Sequence, residues 1–141
     1  MVEATFETID DIVIFVLGTT GVGKSKLAMD LATHPTLFGD VANTNKRGEI
    51  INADSMQVYS GNLNGAMTAR PTPEDLKRAP HHLYDCVPMR DSPLSDCFNV
   101  QKYRDMALAK IAEVQARGNV PIICGGTNYY TEALLFTEGT A

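Results

Sequence analysis

The sequence predicts an α/β fold, in which helices flank a parallel β-sheet. Three short apolar runs have the length and β-branched composition of buried strands: residues 12–17, 49–53 and 120–124. Helical patterns follow them, at residues 23–34, 100–117 and 129–136. Strands that alternate with helices favour a parallel sheet, and ligands then bind beyond the carboxyl ends of its strands.

The boundaries of these elements follow from local chemistry. Pro35 ends the first helix because proline cannot continue the hydrogen-bond ladder, and the Asn99 side chain can cap the second helix. Residues 36–48 contain turn formers without a clear period and are predicted to form a surface loop. Residues 60–98 are rich in Gly, Pro and Asn, and we expect a long irregular segment with one short helix over residues 73–79.

The composition is that of a soluble domain. The chain has 141 residues, of which 44% are hydrophobic and 21% charged. We divide it into a polar leader, residues 1–11, and one P-loop-type domain, residues 12–141. No stretch approaches the ~20 apolar residues of a membrane span, and the acidic leader lacks the arginines of a transit peptide. We therefore expect a cytoplasmic protein with no membrane partner; mitochondrial or nuclear pools stay open.

The cysteines indicate a reducing compartment. Their number is odd, and no pair has C-x-x-C spacing: Cys86, Cys97 and Cys124. This pattern favours single buried thiols over a disulfide framework or a zinc site.

Residues 18–25 match the phosphate-binding pattern G-x-x-x-x-G-K-[ST] between a strand and a helix. Glycines let main-chain N–H groups turn toward phosphate oxygens, and the helix N-terminus adds partial positive charge. Lys24 would neutralise the outer phosphate, and the Ser25 hydroxyl could ligate Mg²⁺. We therefore predict a P-loop NTPase-like sheet whose diphosphate-binding residues are Gly18, Thr19, Thr20, Gly21, Val22, Gly23, Lys24 and Ser25.

The motif lacks a companion that ATP-hydrolysing P-loop proteins usually have. No run of four apolar residues is followed by the Asp that helps those proteins to hold Mg²⁺. The loop is therefore predicted to hold a diphosphate for another purpose. Asp54, at the ligand end of the second strand, could be a general base or a helix cap, and the residues alone favour the two equally.

Three segments resemble the tRNA dimethylallyltransferases, also called tRNA isopentenyltransferases. They are the phosphate loop, the sequence Ile-Asn-Ala-Asp-Ser-Met-Gln-Val-Tyr at residues 51–59, and Ile-Ile-Cys-Gly-Gly-Thr-Asn-Tyr-Tyr at residues 122–130. All three follow predicted strands, so their convergence at one edge of the sheet is expected. Weaker similarity at residues 68–72 and 80–83 extends the resemblance over residues 12–136.

The resemblance implies an activity. Members of this family transfer a dimethylallyl group from dimethylallyl diphosphate to N6 of an adenosine beside the tRNA anticodon. By position, the phosphate loop and Mg²⁺ would hold the diphosphate, and Asp54 would take the N6 proton. The residues implied to be catalytic are Asp54, Thr127 and Lys24, and those implied to contact the adenosine are Asp54, Ser55, Met56, Gln57 and Thr127.

Two departures from the family pattern leave other functions open. Family members are commonly about twice this length, so the chain resembles an N-terminal fragment, and we expect residues 1–141 alone to act poorly on tRNA. The predicted loop at residues 36–48 is also longer than the short link into the second strand that is usual in the family. Apart from these departures, the net charge of −5 is unlike the basic surface of most nucleic-acid binders. The alternatives are an adenylate isopentenyltransferase that acts on free nucleotides, a small-molecule kinase that binds ATP, and a truncated product that binds diphosphate without turnover.

Several other residues are candidates for binding or metal sites. We expect His81 and His82 to lie in a loop turn and bond to main chain or substrate, because their spacing fits no common zinc pattern. Basic side chains that could touch tRNA are more simply solvated surface residues: Arg70, Lys77 and Arg78. One ring of the Tyr129–Tyr130 pair is expected to pack in the core, and the other could stack on a base.

Overall fold

The computed structural model of the chain describes residues 12–18, 23–38, 46–60, 71–84, 86–88 and 99–135. In this part of the chain a parallel sheet has the strand order β1-β6-β2-β4. Its strands are β1 (Ile14–Leu17), β2 (Gly48–Asn52), β4 (His81–His82) and β6 (Val120–Gly125). A separate parallel pair joins β3 (Tyr59–Ser60) to β5 (Val87–Pro88). The predicted α/β class with a parallel sheet is confirmed.

Helices cover both faces of the main sheet. They are α1 (Lys24–Ala32), α2 (Pro35–Phe38), α3 (Ser55–Val58), α4 (Pro73–Arg78), α5 (Val100–Ala116) and α6 (Asn128–Leu135). Alternate residues of one strand serve opposite faces: Ile50 packs with Ala28 and Met29 of α1, whereas Ile51 packs with Tyr103 of α5. None of the helices in the described ranges is long and apolar enough to cross a membrane.

Local sequence explains the principal helix boundaries. Asn99 caps α5, and its Oδ1 accepts the N–H of Lys102 at 2.9 Å, as predicted. Thr72 and Asp75 form a reciprocal capping box around the start of α4. Gly118, with φ of +76°, ends α5 in the left-handed region that favours glycine.

Three sequence predictions need correction. Helix α1 ends at Ala32, before Pro35, and Pro35 begins the short helix α2, which extends into the segment predicted as a loop, because proline is well suited to the first position of a helix. His81 and His82 form an edge strand parallel to β2 rather than a loop turn, because they pair with Ile50 and Ile51. Cys86 is exposed rather than buried, whereas Cys124 is buried.

Candidate functional site

The predicted phosphate loop begins at the end of β1 and leads into α1. Gly18 and Gly23 are described on its two sides; Thr19, Thr20, Gly21 and Val22 lie outside the described residues. Gly23 has φ of +85°, so the turn into the helix uses a conformation that other residues rarely adopt. Lys24 is half-buried as the first residue of α1, and Ser25 is exposed beside it. Both side chains therefore belong to the helix N-terminus, where anions are favoured.

Gly126 lies directly against this loop. A Cβ atom at Gly126 would lie 2.8 Å from the Gly18 carbonyl oxygen and 3.7 Å from Nζ of Lys24. Real Cβ atoms essentially never approach a main-chain oxygen at that first distance. The absence of a side chain at Gly126 thus allows the end of β6 and the phosphate loop to meet.

Gly125 makes the equivalent close approach to the neighbouring strand. A Cβ atom there would overlap the carbonyl group of Ala53 and lie 2.7 Å from the Asp54 nitrogen. The two consecutive glycines therefore join the segment after β2, on one side, to the phosphate loop after β1, on the other. This confirms the predicted convergence of the three strand ends.

Hydrogen bonds define the turn that contains Asp54. Asn52 is fully buried, and its side-chain amide binds both main-chain polar atoms of Asp54: Oδ1 accepts the Asp54 N–H at 2.9 Å, and Nδ2 donates to the Asp54 carbonyl at 3.0 Å. The next N–H, of Ser55, donates to Oγ1 of Thr127 at 2.9 Å. Thr127 also donates its own N–H to the Ala53 carbonyl at 3.2 Å. Thr127 thus caps α3 from the loop after β6, and it ties the predicted base to the glycine pair.

Two charged residues affect the pKa of the Cys124 thiol. Burial raises its pKa, the positive charge of Lys24 lowers it, and the negative charge of Asp54 raises it. Cys124 immediately precedes the glycine pair and is paired with Asn52 in the sheet. Lys24 and Asp54 therefore have opposite effects on the pKa of a thiol that lies beside the glycine pair.

A cavity of about 300 Å³ lies between α1, α4 and the sheet. Its wall includes Ser25 from the phosphate loop and Gln57 from the segment predicted to contact the adenosine. Apolar atoms come from Ala28, Met29, Ile50 and Cys124, and the polar groups include Asp30, Asp75, Arg78 and His81. The wall is therefore about as polar as it is apolar, and the volume is at the lower end of the range of ~300–1,000 Å³ that is usual for small-molecule sites.

The structure separates the other candidate residues. Tyr130 is buried and stacks on Tyr103 with ring centroids 3.9 Å apart, so core packing of one tyrosine is confirmed. Tyr129 is 75% exposed. Arg78 lines the cavity, while Lys77 is simply exposed. Arg70 lies outside the described residues, as does the side chain of Met56.

A charge network around the buried Glu49 occupies the opposite end of the sheet. Glu49 accepts hydrogen bonds from Arg117 at 2.7 and 3.1 Å and from Asn119 at 2.8 Å, and it contacts Nε2 of His82 at 2.8 Å. Burial alone raises the pKa of Glu49, but these partners together hold it at about 2. Sequence reasoning missed this network because Glu49 stands at the edge of an apolar run and its partners are distant in the chain. His82 therefore has a structural role in this network, at the end of the sheet away from the glycine pair.

Comparisons with known proteins agree with this geometry. The model of the family described as IPP transferase matches residues 57–140. A tRNA dimethylallyltransferase of Thermobifida fusca is 43% identical over 123 residues, which are 87% of this chain and 34% of that protein. Adenylate isopentenyltransferase 5 of Arabidopsis thaliana is 37% identical over 135 residues, or 96% of this chain and 36% of that protein.

A solved structure shares the fold. The tRNA isopentenylpyrophosphate transferase of Bacillus halodurans superposes with a TM-score of 0.68 at 32% identity, covering 92% of this chain and 37% of that one. The chain thus spans about a third of the length of these relatives. Because the family model covers more than half of its residues, and its site segments meet as described, the chain belongs to the IPP transferase family.

Proposed function

We propose that this chain carries the donor-binding and proton-accepting part of an enzyme that transfers a dimethylallyl group from dimethylallyl diphosphate to N6 of an adenosine beside the tRNA anticodon. One observation carries the proposal: the consecutive glycines bring the Asp54 turn and Lys24 to the same sheet edge. A diphosphate bound by the loop would then have its reactive carbon near a carboxylate. Membership of the family and the relatives' activities support the same reading.

The donor side of the reaction needs neutralised negative charge. As the bond between the prenyl carbon and the diphosphate oxygen breaks, charge builds up on the leaving diphosphate. Lys24 and the main-chain N–H groups at the start of α1 would stabilise that charge. Lys24 would therefore act more strongly on the transition state than on the bound substrate, as catalysis requires.

The acceptor side needs a base. The N6 lone pair of adenine is delocalised into the ring, so the amine is a weak nucleophile that must lose a proton as it attacks. The new bond joins N6 to the prenyl carbon, and the Asp54 carboxylate would take the N6 proton. The Gln57 N–H donates to the Asp54 carbonyl at 3.1 Å, and the Ser55 N–H donates to Oγ1 of Thr127 at 2.9 Å. We propose that these three residues contact the adenosine beside Asp54. The adenosine would have to leave its stack to enter the site.

Mg²⁺ is the cofactor that fits these residues. Mg²⁺ prefers hard oxygen ligands and is usually held by a few protein groups together with substrate phosphates. Ser25 is exposed, follows Lys24 in the chain and lines the cavity, and its hydroxyl oxygen suits that mode of binding. When bound, the ion would add positive charge at the leaving diphosphate.

A second candidate acceptor is a free adenine nucleotide. It is favoured by the similarity to an adenylate isopentenyltransferase, which covers 96% of this chain. The residues described here serve the chemistry that both acceptors share, namely prenylation of an N6 amine. The acceptor is therefore decided by groups that contact the rest of the tRNA or nucleotide.

The experiment offers labelled dimethylallyl diphosphate with tRNA, with AMP or with no acceptor. We expect label in tRNA; label in AMP alone would support the second candidate. Because the chain spans about a third of its relatives, the assay is run under single-turnover conditions, and it is repeated on a hybrid with the remaining part of the Bacillus halodurans enzyme. Release of diphosphate without labelled acceptor in both proteins would contradict the proposal.

The base assignment has its own test. Asp54→Asn keeps the size and turn-forming ability of the side chain but cannot accept the proton. We expect the prenylation rate to fall by roughly 10²–10⁴, the usual contribution of a general base, with donor affinity unchanged. A near-normal rate in Asp54→Asn would eliminate Asp54 as the base.

A further inference from the structure

We propose that Asn52 is a positioning residue that sets the location of the Asp54 carboxylate. This inference rests on the proposed role of Asp54 as the base. Asn52 is the last residue of β2 and has no exposed surface. A polar side chain buried so completely must have its hydrogen-bonding groups satisfied, and the identity of its partners shows what it holds in place.

Every polar group of the Asn52 side chain has a partner. One amide N–H donates to the Asp54 carbonyl and the other to the Leu83 carbonyl, each at 3.0 Å. Oδ1 accepts the Asp54 N–H at 2.9 Å. A flipped amide would place its NH₂ group against the Asp54 N–H and its oxygen against the carbonyls of Asp54 and Leu83. Only the present orientation therefore satisfies these groups. The Asn52 amide therefore binds both the N–H and the carbonyl of Asp54. These two bonds fix the Asp54 main chain and restrict the direction of the Asp54 side chain.

Contacts with Tyr103 and Leu83 anchor Asn52 itself. Its main-chain carbonyl accepts the hydroxyl hydrogen of Tyr103 at 2.8 Å, from α5 on one face of the sheet. Leu83 follows strand β4 with φ of +64°, a strained conformation for a bulky residue. Such strain persists only where the surroundings impose it, and it occurs most often at functional sites. Here it presents the Leu83 carbonyl to the Asn52 amide.

These contacts link three elements to one residue of the site. The sheet, through β2 and β4, and α5, through Tyr103, all act on Asp54 by way of Asn52. Asn52 touches the Asp54 main chain, so its effect on a proton transfer is through the placement of Asp54. A misplacement of about 1 Å in a catalytic group can cost roughly 10²-fold in rate.

The test compares Asn52→Ala with a matched control, Asn119→Ala. Asn119 is also a buried asparagine whose amide is used on both sides, accepting the Arg47 N–H at 3.2 Å and donating to Glu49 at 2.8 Å. It lies at the opposite end of the sheet. Both variants should lose stability, whereas only Asn52→Ala should lower the single-turnover prenylation rate, by about 10- to 100-fold, with donor affinity unchanged.

A double-variant cycle separates this inference from the proposed function. If Asn52 acts through Asp54, then Asn52→Ala should have no further effect on the rate in an Asp54→Asn background. A normal rate in Asp54→Asn would overturn the proposed function and this inference with it. A slow Asp54→Asn with a normal Asn52→Ala, or with effects that multiply, would overturn the inference alone.

Two additional measurements keep the test decisive. If Asn52→Ala does not fold, Asn52→Ser replaces it, because serine keeps one hydrogen-bonding group, and its single-turnover rate should still be lower than that of the unaltered chain; an unchanged rate would refute the positioning role. If turnover is too slow to follow, binding is measured with anticodon stem–loops that carry adenosine or purine riboside, which lacks the 6-amino group. The preference for adenosine, about 10-fold for a hydrogen bond to a charged group, should be lost in both Asp54→Asn and Asn52→Ala. Its retention in Asn52→Ala alone would refute the positioning role.

Discussion

The close approach of Gly126 to the phosphate loop predicts the effect of adding one methyl group. In Gly126→Ala the new Cβ would lie 2.8 Å from the Gly18 carbonyl oxygen, whereas ordinary contacts begin near 3.4 Å. The Gly18 carbonyl would have to move by several tenths of an ångström. Overpacking of this kind costs about 1–3 kcal/mol. If the added methyl group destabilises mainly the donor-bound conformation of the phosphate loop, donor affinity should fall by roughly 5- to 150-fold.

The assay is calorimetric titration of dimethylallyl diphosphate in the presence of Mg²⁺. Gly118→Ala is the control, since Gly118 has a left-handed φ of +76° but, within the described part of the chain, a Cβ there would meet only Lys46, at 4.0 Å. It should lower stability by about 1–2 kcal/mol and leave donor affinity unchanged. If folded Gly126→Ala binds the donor as tightly as the unaltered chain, the argument that Gly126 shapes the phosphate loop is wrong.

Three further outcomes are expected. Lys24→Ala should weaken diphosphate binding by at least about 10-fold, because a charge-assisted contact is lost, and the same titration measures this. Dimethylallyl diphosphate should displace ATP in a competition assay with Mg²⁺, while tighter ATP binding with phosphoryl transfer would favour a kinase. The pKa of Glu49 is lowered from 4.5 to about 2, so its ionised form contributes roughly 3 kcal/mol above about pH 4.5, and this is lost as the pH falls through 2. Denaturant unfolding between these pH values should show that loss, and Glu49→Gln, less stable at neutral pH, should show a flatter profile.

The convergence of the site could be predicted from the sequence because each part depends on local patterns. A buried strand followed by glycines and a helix identifies the phosphate loop. Parallel strands bring their carboxyl ends to one edge, so the segments after β2 and β6 were expected beside it. The contacts of Gly125 and Gly126 confirm that expectation in detail.

The support of the site could not be predicted in the same way. Asn52 closes an apolar run, and nothing in the adjacent residues indicates that its amide binds the carbonyl of Leu83, 31 positions away. The strand at His81 and His82 has only two residues, so its sequence cannot show the alternating pattern of a strand. It forms because it pairs with β2. The only local signal was a polar residue at the last position of a buried strand. Such a residue must find partners, but the sequence does not identify them.

The two ends of β2 have different tasks, and this separates function from stability. At its amino end the buried Glu49 binds Arg117, Asn119 and His82, and this network connects neighbouring elements. At its carboxyl end Asn52 uses an equally buried amide to hold the Asp54 turn. Both sets of groups are costly to leave unpaired, so substitutions at either end should destabilise the fold. Only those at the carboxyl end lie beside the phosphate loop, so a loss of rate without a matching difference in stability would locate the chemistry there.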